Sequence, residues 1–98
     1  MIVRLVKMKF EADKVADFLL VFENVKAKVL AQEGCTYLEL LQDVHDPTVI
    51  MTHSYWDSEA DLDAYRHSDF FKDTWQKTKA LFRDRPEAIS FNSLYKAQ

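Results

Sequence analysis

The chain has one glycine and two prolines in 98 residues, Gly34, Pro47 and Pro86, and this scarcity constrains the fold more than any other feature. Glycine supplies the left-handed conformations that tight turns need, and proline interrupts both helices and sheet ladders. With so few breaks, each of them carries weight. No linker, repeat or low-complexity stretch divides the chain, which is expected to form one domain over residues 1–98.

Ile2 to Phe10 is rich in apolar residues of both parities, Val3 and Leu5 on one and Ile2, Val6 and Met8 on the other. This predicts a strand buried on both faces. Asp13 then stands where a helix cap belongs, and Val15, Phe18, Leu19, Phe22, Val25 and Val29 recur at helical steps. Gly34 supplies a left-handed stop. Two β-prone runs, Cys35 to Asp43 and Thr48 to Trp56, are joined by Val44-His45-Asp46-Pro47 and predict a hairpin. Ser58, with Asp61 three residues on, opens a short helix through Tyr65. Ser68 caps another, with Phe71, Trp75, Thr78 and Phe82 on one stripe and Pro86 as its end. A last strand is expected from about Ala88 to Tyr95, with Ile89 and Phe91 on one parity.

The order strand, helix, strand, strand, helices, strand predicts an α+β fold of ferredoxin-like βαββαβ type, a four-stranded antiparallel sheet with its helices on one face. Tyr37, Leu38, Leu40 and Leu41 again place apolar side chains on both parities. The face away from the helices is therefore apolar, and a second copy packed sheet against sheet is the economical cover. A homodimer is expected, in the manner of a dimeric α+β barrel.

Composition narrows the partners. Net charge is −3 with acidic and basic residues interspersed, so no nucleic acid is expected. No apolar run approaches the roughly 20 residues of a membrane span, and no leader pattern opens the chain, so neither a membrane nor export is expected. Cys35 is the single cysteine, which excludes an intrachain disulfide and agrees with a cytoplasmic location. With one glycine the chain has no phosphate-binding loop or dinucleotide fingerprint. His45, His53 and His67 form no metal-ligand spacing, and no cofactor or metal is expected.

Aromatic residues reach 13%, more than so small a core needs. They centre on Tyr55, Trp56, Tyr65, Phe70, Phe71, Trp75 and Phe82. Trp56 closes a strand on the parity of Thr52 and Ser54, so a large ring lies beside two hydroxyls, as in small-molecule pockets. On this basis Trp56 is expected to line a cavity rather than fill the main core. His53, on the parity of Met51 and Tyr55, is either a hydrogen-bonded interior or interface residue or a pocket base. His67 lies at the break between helices, either exposed or looking into a cavity. Cys35 has the setting of a small buried side chain.

Gly34-Cys35, the Asp46-Pro47 hairpin and the run Tyr55-Trp56-Asp57-Ser58-Glu59-Ala60 leading to Tyr65-Arg66-His67-Ser68-Asp69-Phe70-Phe71 resemble the antibiotic biosynthesis monooxygenase family. The resemblance covers nearly the whole chain. It implies a pocket between helices and sheet in each subunit, with Trp56 at the position best matched to the motif. Relatives include oxygenases of aromatic polyketides and quinols that use neither flavin nor metal, haem-degrading oxygenases, and proteins with no known reaction. Many relatives carry His where this chain has Tyr65, and Glu where it has Ser54. The haem branch uses an Asn of the first strand, and Ile2 to Phe10 has none.

The function expected is a cofactor-independent monooxygenase acting on a small aromatic molecule, a phenol, quinol or polyketide-like substrate. His53, Tyr65 and His67 are the candidates for proton transfer or hydrogen bonding. Thr52 and Ser54 are supporting hydroxyls, and Trp56, Phe71 and Trp75 are walls. A non-catalytic small-molecule-binding or stress-response dimer of the same fold is the alternative, with haem degradation a further enzymatic option.

Overall fold

The computed structural model describes residues 1–97. Strand β1 (Ile2–Lys9) is followed by a 3-10 turn at Ala12–Lys14 and helix α1 (Val15–Leu30). A hairpin of β2 (Cys35–Gln42) and β3 (Val49–Trp56) comes next, then helices α2 (Glu59–Arg66) and α3 (Asp69–Lys79), and strand β4 (Glu87–Asn92). The sheet runs β2-β3-β1-β4 and each neighbouring pair is antiparallel. This is the ferredoxin-like α+β arrangement expected from the sequence, with an open sheet rather than a closed one.

The signals that set these elements act locally. Ser58 Oγ accepts the Asp61 N–H at 3.1 Å and Ser68 Oγ accepts the Phe71 N–H at 3.1 Å, so both expected caps form. In the hairpin, Asp43 Oδ1 accepts the N–H groups of His45 and Asp46, and Asp46 Oδ1 takes both the N–H and the hydroxyl of Thr48. These bonds hold the Asp46 carboxyl below its ordinary range. Gly34 is left-handed at φ +84, and its carbonyl accepts the Asp57 N–H at 2.8 Å.

Six local expectations are corrected. Asp13 makes no cap, because the chain enters α1 through the 3-10 turn and Lys14 stands at the cap position. Gly34 redirects the chain into β2 but does not end α1, which stops at Leu30 with Ala31 as its cap. Leu19 is exposed rather than on the buried stripe. Phe82 is not helical: α3 stops at Lys79, and the next residues are drawn to the end of β1, where Arg83 N–H bonds Lys9 O at 2.8 Å and Phe82 pairs with Phe10. Pro86 therefore does not end the helix, and β4 ends at Asn92, leaving Leu94 and Tyr95 exposed.

Strand parity divides the side chains between two faces. Met8, Phe10 and Ile50 meet Phe18 of α1 in one buried cluster, and Trp56 and Cys35 meet Leu62 of α2 in a second. Among the described residues no helix covers the opposite face. Across it the register aligns Tyr37, Tyr55, Val3 and Phe91 in one row and Glu39, His53, Leu5 and Ile89 in the next. Ile89 is 51% and Phe91 49% exposed.

Candidate functional site

Between the helices and the sheet lies a cavity of about 340 Å3. Its floor is the helix-side parity of the sheet: Arg4, Val6 and Met8 of β1, Leu38 of β2, Thr52, Ser54 and Trp56 of β3, and Ala88 of β4. Phe18, Phe22 and Val25 of α1 form one wall, and Phe71, Thr74, Trp75 and Thr78 of α3 another. The end of α2 closes it with Tyr65, Arg66 and His67. Aliphatic and aromatic walls with a few polar groups at one end are the usual construction of a small-molecule site.

The aromatic walls are continuous. Trp56 stacks on Tyr65 with centroids 5.0 Å apart, Tyr65 meets Phe71 edge-on at 5.1 Å, and Phe71 stacks on Trp75 at 5.9 Å. From Trp75 the contacts pass through Phe82 to Phe10 and Phe18. Trp56 is only 1% exposed and donates Nε1–H to Ser54 Oγ at 3.0 Å. It lines the cavity and is also core, which corrects the expectation that it would do the first without the second. Ser54 uses an oxygen lone pair in this bond, so its own O–H is left to point elsewhere.

Tyr65 has its phenol pushed up to about 12, first by burial and then by the nearby Cys35. Across neutral pH it is a hydrogen-bond donor and not a base. His67 ends α2, and its Nδ1 lies 2.7 Å from the carbonyl oxygen of Asp63. A carbonyl only accepts, so Nδ1 carries the hydrogen and the neutral ring keeps its lone pair on Nε2. Burial raises the Cys35 thiol, which suits the inert side chain expected there.

The structure brings together Thr52, Ser54, Trp56, Tyr65, His67, Phe71 and Trp75. It does not bring His53 to them. His53 lies on the helix-free face, 3.4 Å from Glu39 and edge-on to the stacked rings of Tyr37 and Tyr55. Its parity with Met51 and Tyr55 already separated it from Thr52, Ser54 and Trp56. Sequence reading missed Arg4 and Arg66. Arg4 shares the parity of Val6 and Met8, and a charge on that otherwise apolar stripe was the available signal. Among the described residues no three His, Cys, Asp or Glu side chains converge on one point, and no helix is long and apolar enough to cross a membrane.

Solved structures share this architecture. A conserved protein from Methanosarcina mazei is 23% identical with a TM-score of 0.86, over 93% of this chain and 91% of that one. A protein from Mycobacterium tuberculosis is 13% identical with a TM-score of 0.89, over 99% and 98%. A structure described as an antibiotic biosynthesis monooxygenase is 16% identical with a TM-score of 0.89, over 97% of this chain and 100% of that one. At these identities the likeness is one of fold. Comparison with curated proteins found no match. The sequence profile of the antibiotic biosynthesis monooxygenases, however, matches residues 1–77, which takes in β1, α1, β2, β3, α2 and most of α3, and by that match the chain belongs to the antibiotic biosynthesis monooxygenase family.

Proposed function

We propose that the protein is a monooxygenase that oxidises a small phenol, quinol or polyketide-like aromatic with dioxygen and no bound cofactor, as a homodimer in the cytoplasm. The observation that carries this reading is the setting of His67, an exposed residue that lines one end of the aromatic cavity and whose Nδ1 faces Asp63 O, which leaves Nε2 as the nitrogen able to accept a proton. Family membership supports the reaction class. The apolar face of Val3, Leu5, Tyr55, Ile89 and Phe91 supports the dimer.

Triplet dioxygen reacts with a closed-shell molecule only after an electron has moved. A phenol with an unsubstituted para carbon gives its O–H proton to His67 Nε2, and the phenolate passes one electron to dioxygen. The aryloxyl radical and superoxide then join through a C–O bond at the para carbon, and the peroxide takes up the proton. Loss of the ring C–H proton with cleavage of the O–O bond leaves a quinone carbonyl and releases water. One phenol and one dioxygen thus give one quinone and one water, and the substrate supplies all the electrons.

In this sequence Tyr65, neutral at working pH, donates to the developing anion, with the hydroxyls of Thr52 and Ser54 in support. Trp56, Phe71 and Trp75 hold the flat substrate and keep water from the intermediate. His53, across the sheet, has no part in it. Oxygen uptake with a panel of phenols and quinols, under labelled dioxygen and after treatment with a strong chelator, tests the reading. One labelled oxygen in the quinone and one in water is expected. Tight binding of the same panel without uptake would favour a non-catalytic ligand-binding dimer instead.

A further inference from the structure

Arg4 and Arg66 both line the cavity, and neither has a use in the reaction outlined above. Arg4 rises from the middle of β1, where its cross-strand neighbours are Ser54 and Ser90. Its Nη1 donates to Ser90 Oγ at 2.9 Å. A guanidinium has five N–H donors, and among the described residues no carboxylate forms an ion pair with this one. Arg66, at the end of α2, has Asp63 as a partner at 3.6 Å, with side chains 44% and 53% exposed, and such a pair holds its members loosely.

A charge half-buried on the floor of an apolar cavity is unfavourable unless something answers it. Here a second cation makes matters worse. Burial lowers Arg4 from the ordinary arginine range, repulsion by Arg66 lowers it further, and only Asp63 acts in the other direction. The chain as a whole is acidic, with net charge −3, so two cations facing one cavity are not a by-product of composition.

We propose that Arg4 and Arg66 form an anion subsite, and that the cavity takes an aromatic acid, a flat ring system already bearing an anionic oxygen when it enters. Arg4 approaches from the floor and Arg66 from the lip, and an anionic oxygen between them relieves their repulsion and fills vacant donors. The planar guanidinium suits a carboxylate or the enolate of a hydroxyquinone alike. The wall of Tyr65, Phe71 and Trp75 offers the ring an aromatic surface in the same cavity. This inference rests on the reading of the cavity as the substrate site, and it adds the charge of what enters.

Quenching of tryptophan fluorescence on the intact protein tests it with matched probes: 2-naphthoate, the enolate of 2-hydroxy-1,4-naphthoquinone, and uncharged 2-naphthalenemethanol. At least one of the two anions is expected to bind about tenfold or more tightly than the neutral probe, and the tighter one identifies the oxygen class. Arg4→Gln and Arg66→Gln should each reduce that preference to about twofold or less and leave the neutral probe unchanged, with Arg4→Lys restoring part of it. Because Arg66 is exposed at a helix end, its variant is a safe control should Arg4→Gln fold poorly. Equal binding of neutral and anionic probes, or a preference that survives in Arg66→Gln, overturns the anion subsite while the cavity reading stands. Binding of none of the three overturns both.

Discussion

Trp56 and Tyr65 show how much one side chain is asked to do in so small a protein. Trp56 joins the second core cluster, forms part of the cavity floor and donates to Ser54. Trp56→Ala is therefore expected to cost about 3–5 kcal/mol, seen as an earlier midpoint in urea, and loss of binding in that variant says nothing about contact with substrate. Trp56→Phe keeps most of the buried area and separates the two effects. Tyr65 carries a pH signature. Its phenol titrates near 12 in the folded chain and near 10 when unfolded, so the unfolded state loses its proton first as pH rises. The stabilisation is whole below about pH 10 and is lost through about pH 12, with a magnitude of about 1–3 kcal/mol. Between about pH 10 and about pH 12 the wild type should lose stability that Tyr65→Phe keeps, so the difference between their denaturation midpoints should change across that window and stay constant below it. His67→Gln should lower kcat by about 100-fold or more if Nε2 is the base, and an unchanged kcat would remove it from the mechanism.

At the scale of elements, the sites depend on how segments end. Ser68 caps α3 and also donates its hydroxyl to Tyr65 O at 2.6 Å, tying the start of one helix to the end of the one that bears Tyr65, Arg66 and His67. Ser68→Ala should cost about 1 kcal/mol and weaken ligand binding as well, whereas Ser58→Ala, with a similar cap, should affect stability alone; melting curves beside a binding assay distinguish them. Gly34→Ala should destabilise by about 1–2 kcal/mol from its positive φ alone, and more because the new Cβ would lie 2.6 Å from the Asp61 Cβ and Cγ. The Ser58 and Ser68 caps, the hairpin and the succession of elements along the chain were legible in the sequence because each is a short-range signal. The ends of α3 and β4 were not, since distant backbone meets the chain there, as where Arg83 bonds Lys9 and Ser93 bonds Met1. The cavity was half legible for a related reason. Parity placed Thr52, Ser54 and Trp56 together, but the convergence of Arg4 with Arg66, 62 residues apart in the chain, depends on how α2 crosses the sheet.

The whole molecule leaves one face of its sheet without a helix, and Ile89, Phe91 and Leu41 are the large apolar residues most exposed on it. Sedimentation at micromolar concentration is expected to give twice the chain mass, and Ile89→Lys with Phe91→Lys to give a folded monomer. A wild-type monomer at that concentration would sink the dimer. Strand β3 lies between the cavity and this face, and its eight residues alternate between them: Thr52, Ser54 and Trp56 look into the cavity, Met51, His53 and Tyr55 away from it. The two sets can thus drift independently under selection. A substitution at 52 or 54 can retune what the cavity accepts without altering self-association, and one at 51 or 53 can do the reverse. An insertion or deletion of a single residue has no such freedom, for it would exchange the two sets at one stroke. In descendants of this chain, variation within β3 should therefore run through replacement, with changes of length confined to the hairpin that precedes it.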